Sequence, residues 1–318
     1  MNILIVGGAG FVGANLVRYC LEQPGARVTV FDSLEPKLKA SDRHLAPVRD
    51  KIAFIRGSML DDGAIGEAVK GQQIVFNCAG QSSHPLSLAD PVYDTEINCI
   101  GNLKLLEAMR RHNPEATVVY ASSSTAIGKA ARDVIDETHG EDPLEVYSAN
   151  KGVSDKYYRI YHRVHGLKTV ALRFANLFGP YGKGLPEFGF LNYFIHLAWT
   201  GETIRIFGDG AQLRNVLYVE DACAAMWTAA MTPGLLGGIY FAVHEEHRTV
   251  REIAETIVRV MERGGTEFVP WPPERKAIEV ERQKISAAKF RSLTGWQPRY
   301  SFAEGLARTK NIMESEKL

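Results

Sequence analysis

Apolar and polar positions along the 318-residue chain follow two rhythms. Short, nearly continuous apolar runs stand at 2–6 (NILIV), 27–32 (RVTVFD), 51–55 (KIAFI), 73–80 (QIVFNCAG), 116–122 (ATVVYAS) and 168–174 (KTVALRF). A strand that is apolar on both faces is covered on both faces, so these runs predict parallel strands between layers of helices. The intervening segments include Phe11 to Leu21, Pro91 to Arg111 and Ser148 to His165, with apolar residues at helical spacing such as Ile97, Ile100, Leu103 and Leu106. This alternation predicts an α/β fold with a doubly wound parallel sheet. After Asn176 the rhythm changes, and FGPYGKGLPEFG (178–189) reads as a lobe boundary or a binding loop. Beyond it the pattern predicts a helix over 190–200, a strand and helix over 216–231, a strand over 238–242, and helices over 249–263 and 302–313. The expected organisation is a large domain over 1–175, with 215–245 returning to it, and a smaller α/β lobe from 176–214 and 246–318.

Composition narrows the function classes. With 37 basic and 37 acidic side chains the formal charge cancels, which argues against nucleic-acid binding and against attraction to anionic membranes. Cys20, Cys78, Cys99 and Cys223 are far apart, without CxxC or Cys/His ligand spacing, so they read as reduced thiols and no metal site is expected. The first residues run directly into an apolar strand without the features of a secretory leader. No run approaches the roughly 20 apolar residues that span a bilayer. The expectation is a soluble, cytoplasmic protein.

Candidate chemistry begins at LIVGGAGFVG (4–13), where Gly7, Gly10 and Gly13 follow the first strand and lead into the first helix. That spacing serves a tight turn at Gly7, backbone approach to a pyrophosphate at Gly10 and close helix packing at Gly13. Asp32 ends the second strand 19 residues after Gly13. A carboxylate there accepts hydrogen bonds from ribose hydroxyls and repels a 2'-phosphate, and no arginine follows it, so NAD is favoured over NADP. Tyr147 and Lys151 stand four residues apart at the start of a helix, on one face. An ammonium beside a phenol favours the phenolate, which predicts a lowered tyrosine pKa and a general base. Ser122, Ser123 and Ser124 close the preceding strand, where hydroxyls face the ligand crevice of such sheets. His84, in NCAGQSSHPLSLADP, is either a further acid or base or a loop histidine without a catalytic role.

Taken together, GGAGFVG, Asp32, NCAGQSS, EINCIGNLKLLEA, YASSSTAIG, YSANK, LRFANLFGP and GDGAQLRNVLYVEDA resemble the extended short-chain dehydrogenase/reductase family, and within it the nucleotide-sugar epimerases and dehydratases. The resemblance runs in register to LTGWQPRYSFAEGLART near the C-terminus. It implies a Rossmann domain with tightly bound NAD, a C-terminal lobe holding a nucleoside diphosphate sugar, and Ser123, Tyr147 and Lys151 as catalytic residues. It further implies that Phe11, Val12, Ser33, Ser58, Met59 and Cys78 lie against the cofactor. Ala79, Gly80, Asn98, Ala121 and Phe174 join them on the same ground. Asn176, Arg214 and Arg282 are implied to hold the substrate diphosphate or nucleotide, with Phe190, Leu191, Arg205 and Phe207 lining the nucleotide site. Guanidinium forks suit phosphate oxygens. Departures from the family pattern are Val6 for threonine, Ser58 for aspartate, Ile127 for tyrosine and Asn215 for aspartate.

The resemblance also bears on the reaction. The family's 4,6-dehydratases carry an Asp-Glu pair after the catalytic hydroxyl residue, where this chain has Ser124 and Thr125, and its decarboxylases usually carry glutamate at the place of Thr125. What remains suffices for epimerisation through a ketosugar, with C4 the expected position. The AGQ stretch at 79–81 keeps a CDP-sugar 2-epimerase open, and dehydration stays an alternative. A non-catalytic NAD-binding regulator and an NADP-dependent ketosugar reductase are the readings of other classes. Family dimers pair helices such as 91–111 and 148–165 in a four-helix bundle, so a homodimer is expected, although core burial explains the same apolar spacing.

Overall fold

The structure, a computed structural model, describes residues 1–272 and 284–317. Seven parallel strands form its central sheet. Across the sheet they lie in the order Ile239–Phe241, Lys168–Phe174, Thr117–Ser123, Ile74–Asn77, Asn2–Val6, Arg27–Asp32, Ile52–Arg56. The six apolar runs therefore became six strands. Asn2–Val6 pairs with Arg27–Asp32 on one side and with Ile74–Asn77 on the other, so the strand order reverses around it. A crevice opens at such a switch point, beyond the carboxyl ends of the strands.

Successive side chains on a strand point to opposite faces, and here both faces are buried. Ile3 and Ile5 pack with Leu16, Val17 and Cys20 of the helix Phe11–Leu21 and with Cys223 and Met226 of the helix Val219–Met231. Leu4 and Val6 pack on the other face with Leu105, Leu106 and Met109, and with Tyr158 of the helix Val146–His165.

The segment expected as one helix over 91–111 is broken into Pro91–Thr95, a π-helical turn at Glu96–Ile100, and Gly101–His112. The carbonyl of Asn98 explains the wider turn. It accepts from the side chains of Asn102 at 2.6 Å and Ser154 at 2.5 Å, and side-chain capture of this kind competes with the regular backbone ladder. Ile100 on this segment and Val153, Ile160 and Val164 on the neighbouring helix remain exposed.

Beyond the central sheet, Asn176–Phe178, Leu213–Tyr218 and His247–Thr249 form a three-stranded sheet, and Thr203–Phe207 pairs with Gly265–Val269. The sequence reading did not anticipate the strands at 203–207, 247–249 and 265–269. They are short, and Gly265–Val269 has no buried residue, so it lacks the continuous apolar signature. Among the described residues no helix is long and apolar enough to cross a membrane.

Candidate active site

Gly7 turns the chain out of the first strand with φ +76°, a conformation glycine adopts without penalty. A Cβ there would lie 2.5 Å from the Ala79 nitrogen. Gly13 has the same restriction from the other side: its Cβ would lie 2.2 Å from the Gly7 carbonyl oxygen. The helix Phe11–Leu21 thus starts tightly against the turn, and no side chain caps its N-terminus at Gly10. Open N–H groups at a helix start, with bare glycine in front, form a cradle for phosphate. Asp32 lies next to this turn and accepts from the backbone N–H of Ala9 at 3.0 Å and Leu34 at 2.8 Å. Burial pushes its carboxyl above the usual range, opposed by those two amides and by the Lys183 ammonium.

Two adjoining cavities flank the cradle. One, of about 660 Å³, is lined by Gly7, Gly10, Phe11, Asp32, Ser33, Ser58, Met59 and residues 78–80. The other, of about 460 Å³, shares Gly10, Phe11, residues 78–80 and Lys183, and adds Val12, Ala121, Ser123, Tyr147, Lys151 and Phe174. The expected cofactor residues therefore line one continuous groove, with two exceptions. Gly13 packs beneath it. Asn98 is fully buried behind Gly80, where its side chain donates to the Gln81 carbonyl at 2.9 Å and so supports the loop without facing the groove. A bare glycine cradle, a carboxylate at the second strand and a groove reaching from one to the lysine fit NAD. Lys183, which lines both cavities, was not singled out in sequence because the 178–189 loop offers a lysine among glycines with no spacing to mark it.

At the far end of the groove the strand Thr117–Ser123 delivers Ser123, whose Oγ lies 2.8 Å from the Thr125 hydroxyl. Tyr147 and Lys151 project from the first turns of the helix Val146–His165 into the same cavity. Lys151 is buried, donates to the Ala121 carbonyl at 2.8 Å and lies 4.3 Å from the Tyr120 ring centre. The expected lowering of the tyrosine pKa is corrected here. Burial pushes the Tyr147 phenol up, the hydrogen bond from Ser123 pulls it down, and the Asp94 and Glu145 carboxylates push it further up. Burial also pushes Lys151 down to about 8, with Asp155 the largest opposing charge.

The lysine shift makes a prediction about stability. Between about pH 8 and the ordinary lysine value the unfolded chain binds more protons than the folded one, so stability rises with pH through that window. Below it the folded protein bears the full cost of a buried ammonium. Lys151→Met should therefore stabilise the cofactor-free protein at pH 7, by about 3 kcal/mol. The gain should fade from about pH 8 to about pH 10.5. Thermal melts of both proteins across that range test it; a destabilised variant at pH 7 would refute the assignment.

Of the residues expected to hold substrate, Asn176, Phe190, Leu191 and Arg214 line the second cavity with Ser123. Asn176 donates to the Asn215 carbonyl at 2.9 Å. Asn215 itself donates to the His244 carbonyl and accepts from the His244 N–H at 3.2 Å, a paired use that a carboxylate could not make. Arg205 and Phe207 line neither cavity, contrary to expectation. Strand parity gives the reason: Ile204 and Ile206 take the buried face, leaving Arg205 three-quarters exposed beside Glu267, while Phe207 packs on Trp271 with ring centres 5.4 Å apart. Arg282 lies outside the described residues. Ser124 and Thr125, where carboxylates were sought, also face the second cavity, and Ile127 is buried in the core.

Comparison with known proteins agrees with this geometry. The chain is 30% identical to a dTDP-glucose 4,6-dehydratase of Mycolicibacterium smegmatis, over 97% of this chain and 92% of that one. Among solved structures, a UDP-glucose 4-epimerase of Thermotoga maritima, determined with UDP-glucose, superposes with a TM-score of 0.89 at 28% identity, covering 100% of both chains. A Thermus thermophilus UDP-glucose 4-epimerase in complex with NAD gives 0.85 at 29% identity over 99% of each. The NAD dependent epimerase/dehydratase family model matches residues 3–240, a span that runs from the glycine cradle through Tyr147 and Lys151 to the last strand of the central sheet. The chain belongs to the NAD dependent epimerase/dehydratase family, and its cofactor is NAD.

Proposed function

We propose that this protein epimerises a nucleoside diphosphate sugar at C4 through a transient 4-keto intermediate. The observation that carries the reading is the content of the second cavity: Tyr147 and Lys151 stand beside the hydroxyls of Ser123, Ser124 and Thr125, with no carboxylate in the places that follow the catalytic serine. NAD, held along Gly7, Gly10 and Asp32, supplies a reversible hydride acceptor. Tyr147 takes the proton of the sugar hydroxyl and later returns it, and Ser123 hydrogen-bonds that hydroxyl and the phenol. Lys151, anchored on the Ala121 carbonyl, holds positive charge near the developing phenolate and the cofactor ribose. Asn176 and Arg214 hold the diphosphate, an assignment supported by their place on the cavity wall. In this reading residues 1–175 and 215–245 bind the cofactor, and 176–214 and 246–318 the sugar nucleotide.

The test is proton NMR of the NAD-loaded protein with separate UDP-, CDP-, dTDP- and GDP-sugars. A second epimer approaching a fixed ratio, without accumulated NADH, is expected with one of them. A 4-keto-6-deoxy product, or inversion at C2, would overturn the C4 reading.

The active unit in this reading is a homodimer. Its support is the exposed apolar row Val153, Ile160 and Val164, whose spacing of seven and then four residues keeps it on one helix face, with Ile100 alongside. Sedimentation velocity at micromolar concentration should give twice the 35.2 kDa chain mass; a monomer would refute the pairing.

A further inference from the structure

A buried ammonium is costly unless negative charge compensates it, and among the described residues no carboxylate touches Lys151. Its hydrogen bond goes to the neutral Ala121 carbonyl, and its ammonium lies over the Tyr120 ring. Two fully buried carboxylates stand on the elements around it. Asp155 is one helical turn further along the same helix, and Asp94 is on the helix Pro91–Thr95. Asp155 is already engaged, since the buried Arg173 donates to it at 2.7 Å. Asp94 has no ion pair among the described residues: its oxygens accept from the side-chain amides of Gln81 and Asn150, each at 2.7 Å.

The orientation of both amides is fixed by their other bonds. Gln81 accepts from the Ser83 N–H and donates to the Ser83 carbonyl. Asn150 accepts from Cys99 Sγ at 3.2 Å and donates to Thr95 Oγ1 at 3.1 Å, whose own proton goes to the Pro91 carbonyl at 2.9 Å. The two amide nitrogens therefore face Asp94. A carboxylate accepts at both oxygens, whereas a carboxylic acid would set its O–H against one of these N–H groups, so Asp94 is ionised. Asn150, which carries one of its bonds, immediately precedes Lys151.

The remaining groups facing Lys151 are neutral at neutral pH. Burial pushes the Cys78 thiol up to about 12, and it raises the Cys99 thiol and the Tyr120 and Tyr147 phenols. His84 and Glu145 pair with each other beside Tyr147, and Glu141 pairs with Arg173 and Lys156. This part of the core thus holds four buried charges, Lys151 and Arg173 against Asp94 and Asp155. We propose that Asp94 is a positioning residue for Lys151: with Asp155 shared between Arg173 and Lys151, the buried negative charge of Asp94 completes the balance that keeps Lys151 an ammonium. This rests on the reading above in which the positive charge of Lys151 supports the phenolate. Asp94 lines neither cavity and acts through the protein interior, where water does not screen it. Burial brings Lys151 down, and Asp155, Cys78 and Asp94 oppose it, the thiol only where it is ionised. Asp94 also pushes the Tyr147 phenol up, so its benefit to the reaction comes only through the lysine.

The experiment reads Lys151 directly. Protein carrying isotope-labelled lysine is titrated by NMR with NAD bound and after its removal, and the Lys151 Cε signal is the one missing from Lys151→Met. Without cofactor the parent midpoint is expected at about pH 8. Asp94→Asn should lower the ammonium-to-amine ratio at a given pH by about tenfold, and Asp94→Glu should keep most of the parent ratio. Direction separates charge from packing, because water admitted by a loosened core would raise the ratio toward that of an ordinary lysine. An asparagine nitrogen at this place would meet an N–H donor, so Asp94→Ser, which keeps an oxygen for the same donors, is the second variant. A ratio lowered in the variant that folds supports the role; one that is unmoved or raised overturns it. No sugar enters the measurement, so that failure leaves the epimerase reading standing. Failure of every sugar in the NMR screen removes the epimerase reading and leaves the charge balance at Lys151 in place.

Discussion

Tyr147→Phe should abolish epimerisation, with kcat reduced by about 10³-fold, while NAD stays bound. The substitution removes one oxygen and keeps the ring that packs on His84 at 4.7 Å, so the cavity retains its shape. What it removes is the group that, in the proposed reaction, shuttles the hydroxyl proton. Without it, hydride transfer would leave a protonated carbonyl or draw a hydroxide into the cavity, both far higher in energy than a phenolate beside Lys151. Because burial already pushes the phenol up in the cofactor-free protein, Lys151 and the cofactor charge must supply the compensation when the site is loaded. Single-turnover conversion and cofactor content, measured on the same preparation, separate the two effects. Activity within tenfold of the parent would remove Tyr147 from the proposed role.

The second large effect is expected at Gly13→Ala. The added Cβ would lie 2.2 Å from the Gly7 carbonyl oxygen and 2.6 Å from Gly8 Cα. Both are backbone atoms in a turn braced by Ala79, so neither can rotate aside as a side chain would. The helix must lift off the turn, which moves its N–H groups away from the place the proposed cradle offers to the cofactor's phosphates. NAD affinity should fall by about a hundredfold, and stability by about 1–3 kcal/mol from overpacking. Gly140→Ala is the control, since a Cβ there meets nothing within 4 Å and its backbone needs no positive φ. Calorimetric titration of NAD and thermal melts read both quantities; parent-like affinity in Gly13→Ala would mean the cradle tolerates a shift that its geometry forbids.

Much of the site was legible because its chemistry is local. Gly7, Gly10 and Gly13 lie within one strand–turn–helix, and Tyr147 and Lys151 within one helical turn, so short-range periodicity puts each group together. The limits appear where distance in sequence enters. Asn98 was assigned to the cofactor but stands behind Gly80, where a π-helical turn puts it. Arg205 was assigned to the nucleotide but sits on the outward parity of its strand. Lys183 reaches both cavities from a loop with no periodicity at all.

By itself the sequence determined the alternation that builds the parallel sheet, the glycine turn and acidic residue at its first two strands, and the tyrosine–lysine pair. These follow from backbone sterics and from two periodicities, which act over a few residues. Only the tertiary structure put the Ser123 hydroxyl in hydrogen-bond contact with the tyrosine, set Asn98 to support the loop, and brought His84 to Glu145 across 61 residues of chain. It also decided the direction in which the Tyr147 phenol is shifted. Burial and pairing depend on what other segments bring to the same place, and no local pattern encodes the desolvation that their packing imposes.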